Sequence, residues 1–95
     1  MNKNIIELLE NEYLKEYQLF DELIDNANKE RGLARLDETA TGQQNHNWNA
    51  ERYMNEAKTH AAIICKLAEI FAEINGTSFD KESERLHNKF NLWRK

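Results

Sequence analysis

Residues 48–75 read WNAERYMNEAKTHAAIICKLAEIFAEIN. The stretch holds neither Pro nor Gly, and its apolar residues recur at three- and four-residue steps over about seven turns. Spacing successive residues about 100° apart places Ala50, Tyr53, Met54, Ala57, Ala61, Ile63, Ile64, Leu67, Ala68, Ile70, Phe71, Ala72 and Ile74 in one broad arc. Glu51, Lys58, Glu69 and Glu73 fall opposite. The arc covers more than half the circumference, so this helix expects at least two neighbours. Ala57, Ala61 and Ala68 share an edge whose small side chains let another helix approach closely. Two polar residues, Glu56 and His60, interrupt the arc one turn apart.

The rest of the composition agrees with a helical chain. The 95 residues lack both Pro and Val, while Leu, Ala, Glu and Lys are plentiful, a profile that favours helix over sheet. The longest apolar run, Ala61 to Cys65, is far too short to span a bilayer. The opening residues show no signal-peptide pattern, and the single Cys65 suits a reducing compartment. A cytoplasmic location is therefore expected. The net charge is −4, with an acidic first segment and a basic last one. Arg85, Lys89, Arg94 and Lys95 are too few for a nucleic-acid-binding stripe, so nucleic acid and membrane are not expected as partners. The abundance of Asn, Lys, Glu and Ile hints at an AT-rich bacterial or phage genome.

Residues 3–30 form a second helical pattern. Ile5, Ile6, Leu8, Leu9, Tyr13, Tyr17, Leu19, Phe20, Leu23, Ile24 and Ala27 share an arc, with Glu7, Glu10, Asp21, Asp25 and Gln18 opposite and Glu12 and Glu16 inside or beside the arc. Residues 37–47, DETATGQQNHN, show no periodicity and read as a loop, after which Asn47 or Asn49 would cap the helix over 48–75. Asn75-Gly76 stops that helix. Thr77 or Ser78 then caps a third, over 78–93, with Phe79, Leu86, Phe90 and Trp93 as its apolar stripe.

These lengths predict a single all-α domain: a long antiparallel hairpin plus a shorter C-terminal helix. Two helices of about 28 residues run about 40 Å each, whereas the third reaches about 22 Å. The short helix covers only half the hairpin. Leu19, Phe20, Leu23, Ile24, Tyr53 and Met54, at the far half, would then be left partly bare. Apolar patches of that kind call for a partner, and homodimerisation or higher self-association into a bundle is the simplest cover.

Few residues suggest chemistry. A register that sets Ala27 opposite Ala50 places Glu16 opposite His60, with Glu56 a turn away. Inward carboxylates with a histidine are how some four-helix bundles bind metal; a buried or half-buried polar pair that fixes register and side chains that reach water at the helix edge are the structural counterparts, together favoured over metal. Glu84-Arg-Leu-His87 has the Glu-x-x-His spacing, but its Glu84 points away from the apolar stripe. His46, Trp48 and Arg52 at the open end of the hairpin would suit an anionic or planar ligand, although such a Trp more often plugs a bundle end. Cys65 has no base beside it and reads as a packing residue at the margin of the arc. No catalytic residues and no cofactor are expected.

Two resemblances bear on function. Glu7-Leu-Leu-Glu10 and Glu22-Leu-Ile-Asp25 resemble the magnesium site of all-α nucleoside triphosphate pyrophosphohydrolases. The four acids, however, lie on the outer face of one helix with about 18 Å of rise between the pairs, so they do not converge. The run Glu56-Ala-Lys-Thr-His60 with the spaced apolar residues after it is similar to the last helix of small phage proteins that sequester cyclic oligonucleotides. Those are helical oligomers that hold signalling nucleotides between subunits, and the likeness covers about fifteen residues. The leading expectation is a non-catalytic regulator or inhibitor that binds another protein. An oligomer that sequesters a small anionic ligand through Trp48, Arg52 and His46 is the alternative, and a metal bundle using Glu16, Glu56 and His60 comes third.

Overall fold

A computed structural model describes residues 3–93; Arg94 and Lys95, counted above among the basic residues, lie outside them. Three helices follow in order: α1 (Lys3–Leu36), α2 (Ala40–Asn75) and α3 (Phe79–Phe90). The two long helices pack as a hairpin and the third is the shorter C-terminal helix, with no strand among the described residues. This is the architecture the periodicity predicts. Both long helices exceed their expected lengths, at 34 and 36 residues, or roughly 50 Å each.

The expected loop over 37–47 is the main correction. Only residues 37–39 connect the helices, and α2 begins at Ala40 rather than near Trp48. Neither Asn47 nor Asn49 is a cap. Thr39 takes that role: its hydroxyl accepts from the Gly42 amide at 3.0 Å. Asp37 Oδ1 in turn accepts from the Thr39 amide and hydroxyl, both at 2.8 Å, and Gln43 Nε2 donates to the Asp37 carbonyl at 2.8 Å. These bonds satisfy donors that a helix start leaves open, so a polar segment without an apolar stripe still becomes helix. Gly42 leaves room for this arrangement, because a Cβ there would collide with the Asp37 carboxylate. Thr39→Ala is expected to cost about 1 kcal/mol, measurable as a lower denaturation midpoint with an unchanged slope.

α1 runs six residues beyond the expected end at residue 30, and its last turns leave Leu36 and Leu33 with 80% and 47% of their surface exposed. At the other end of α2, Gly76 adopts φ +63° and Thr77 donates its amide to the Ala72 carbonyl at 3.0 Å, the six-residue closure of a Schellman stop. Ser78 caps α3 by accepting from the Lys81 amide at 3.2 Å. The third helix ends three residues before the expected position 93, since Asn91 turns left-handed at φ 54°.

The chain forms two compact units. One combines the described residues of Met1–Tyr17 and Ala62–Lys95; the other is Gln18–Ala61. The first contains all of α3 and a core of Tyr13, Leu67, Ala68, Phe71 and Leu86. The second consists of helical hairpin alone. Its buried apolar residues are Ala27, Ala34, Ala50 and Ala57, with no large side chain among them.

Candidate functional site

The Gln18–Ala61 unit carries most of the residues singled out from the sequence. Buried alanines on both helices form its seam, where backbones approach closely. Leu19, Phe20, Leu23, Ile24, Tyr53 and Met54 flank that seam, and every one is half-buried. Two helices cannot enclose residues that stand to either side of their contact line. These six side chains therefore remain open to water along part of their surface.

The connecting end of this unit is held by a histidine that sequence reasoning placed in a loop. His46 lies on α2, and its Nδ1 is 2.6 Å from Glu30 Oε2. A carboxylate only accepts, so Nδ1 carries the proton in this contact. Nε2 faces Asp37 Oδ2 at 3.8 Å. The Asp37 carboxyl is held below its usual value chiefly by the two bonds from Thr39, with a smaller contribution from His46. The Glu30–His46 pairing matches the register inferred from Ala27 and Ala50.

Trp48 does not plug the bundle end. It is 71% exposed, two residues from the buried Ala50, and so stands on the outer side of α2. Arg52, one turn on, is also exposed and lies 5.8 Å from the Tyr53 ring centroid. A hollow beside Trp48 is lined only by α2 residues from Ala40 to Glu51, among them Gln44 and Asn47. Neither Arg52 nor His46 lines it. A pocket that engulfs a ligand takes its walls from several elements, and this one has a single wall.

Glu16 is buried, His60 is half-buried and Glu56 is exposed. Among the described residues no group of three or more His, Cys, Asp or Glu side chains is placed to hold a metal ion, and these three form no such group. Cys65 is exposed rather than packed.

The most developed polar cluster lies in the other unit. Glu10, assigned to the outer face of α1 by its angle, is only 4% exposed. Arg85 Nη1 reaches its Oε2 at 2.6 Å and Lys89 Nζ its Oε1 at 2.7 Å. Burial pushes the Glu10 carboxyl up, but the hydrogen bonds and charges of Arg85 and Lys89 outweigh it and hold the group below its usual value. Glu82 is equally hidden at 3% exposure. Its carboxylate accepts from Thr77 Oγ1 at 2.7 Å, Asn75 Nδ2 at 2.8 Å and Arg85 Nε at 3.0 Å. Burial again raises this carboxyl and the three donors more than reverse the effect. The opposite charges are balanced and mutually satisfied, which is the pattern of a clamp holding α3 to α1 rather than of a reactive site. Beside it, His87 donates Nδ1–H to the Ser83 carbonyl at 2.9 Å and packs 4.9 Å from the rings of both Tyr17 and Trp93.

Glu10 was missed because its neighbours lie about 75 residues away. The Arg85 and Lys89 spacing, one turn apart on α3, was the only available signal. With this geometry in place, comparison with known proteins adds nothing further: the chain matches no family model, no curated protein and no solved structure.

Proposed function

We propose that this chain is a non-catalytic helical interaction module, a small regulator or inhibitor, that associates through its Gln18–Ala61 unit. The observation that carries this reading is the combination of an all-alanine buried seam with six half-covered large apolar residues beside it. Such a unit gains little from burial on its own, and covering those side chains at about 25 cal/mol per Å² is the available source of stability. A second copy presents the same surface and covers it symmetrically. The polar groups in the same unit favour this over a ligand site, since His46 is already paired with Glu30 and the hollow at Trp48 has one wall.

Light scattering across micromolar concentrations tests the proposal. The wild-type chain is expected to be a dimer or higher oligomer. Leu23→Glu and Phe20→Ser are expected to shift it to monomer while circular dichroism stays helical, because a charge or hydroxyl at a closed apolar contact must be desolvated. A wild-type monomer at all concentrations removes the self-association that this reading starts from.

A further inference from the structure

We infer that Asn75 is a site of spontaneous deamidation, and that its conversion to aspartate or isoaspartate releases the tie between the end of α2 and Glu82 of α3. Of the chain's asparagines, only Asn75 precedes a glycine. The reaction requires the next residue's backbone nitrogen to reach the asparagine Cγ, and a side chain on that next residue obstructs the approach. Gly76 has no side chain and sits in a left-handed turn at φ +63°, with open space where a Cβ would be. Asn75 is the last residue of α2 and is exposed to water. Every other described asparagine precedes a residue that carries a side chain, and all of them except Asn91 sit within helices.

The chemistry balances with water alone. The Gly76 nitrogen, having lost its proton to solvent base, attacks Asn75 Cγ to form a new C–N bond, and the side-chain amide leaves as ammonia. Water then opens the resulting succinimide at either carbonyl. One product is aspartate; the other is isoaspartate, with an extra methylene in the backbone. Nothing is oxidised or reduced.

The structural consequence follows from what Asn75 does. Its Nδ2 donates to Glu82 Oε1 at 2.8 Å, and Glu82 is 3% exposed. Deamidation replaces that donor by a carboxylate. Glu82 loses one of its three side-chain donors and acquires a like charge beside it, while Arg85 is already shared with Glu10. A negative charge at the C-terminus of α2 also opposes the helix dipole. A buried carboxylate deprived of partners is costly, and Glu82 belongs to the helix that this network holds in place.

Peptide mapping of the purified chain, incubated at mildly alkaline pH, tests the site, with enzymatic methylation reporting isoaspartate. The Asn75 peptide is expected to convert before any other, and Asn75→Gln to abolish the signal. Conversion elsewhere first, or none at Asn75 while an unstructured INGTS peptide converts fully, overturns the assignment. Asn75→Asp tests the consequence: α3 amides are expected to exchange with solvent about tenfold faster. Adding Glu82→Gln, whose amide can donate to the new Asp, is expected to restore most of the protection. Wild-type exchange in Asn75→Asp, or no recovery in the double variant, overturns the proposed release.

Discussion

Replacing Phe71 by alanine is expected to destabilise the chain by about 3–5 kcal/mol, the range for emptying a buried aromatic site. Phe71 is completely buried, belongs to the core with Tyr13, Leu67, Ala68 and Leu86, and carries the Arg85 guanidinium 5.4 Å above its ring. Truncation removes the contacts of that ring from α1, α2 and α3 together and leaves a cavity whose walls are long helices that collapse poorly. Domains of this size are stable by about 5–15 kcal/mol, so the loss is a large fraction of the total. Urea denaturation followed by circular dichroism checks this. A loss below about 1 kcal/mol would mean that the core is not centred on this residue.

Arg85→Met should produce the second largest effect, about 2 kcal/mol near neutral pH, because it leaves two buried carboxylates short of donors. The figure sits below that for a fully buried pair since the Arg85 side chain is 38% exposed and partly screened. Its pH dependence is the sharper test. Glu10 and Glu82 both titrate below the ordinary value of 4.5 in the folded chain. As pH falls the unfolded chain therefore binds protons first. Stability present above about pH 4.5 declines below it and is lost as pH passes through the folded-state values. In Arg85→Met that acid-induced loss should be flattened, since the donors that depressed both carboxyls are reduced. Denaturation midpoints measured from about pH 7 down to 3 distinguish the two profiles. An unchanged acid profile in the variant would show that Arg85 does not set these carboxyls.

His46 and Glu10 show how differently two polar residues can be read. Periodicity assigns His46 to a loop, and its pairing with Glu30 emerges only because α2 begins at Ala40 and carries the hairpin pairing further along both helices. Glu10 was assigned to solvent by angular reasoning, since angle around one helix says nothing about where a third helix will lie. The start of α2 was hidden for another reason. The segment from Ala40 to Asn47 lacks an apolar stripe, and its helicity rests on bonds from Asp37, Thr39 and Gln43 rather than on burial.

The sequence alone determined that the chain is all-α, with two long helices, a stop at Gly76 and a short third helix begun at Thr77 or Ser78. Those features are local, set by periodicity, by the conformational freedom of glycine and by a capping hydroxyl within three residues of its donor. Tertiary structure decided which acids are buried, that Trp48 and Cys65 face outward, and that alanines alone line the seam of residues 18–61. Each depends on which faces meet across dozens of residues, and contacts at that separation leave no spacing pattern in one chain.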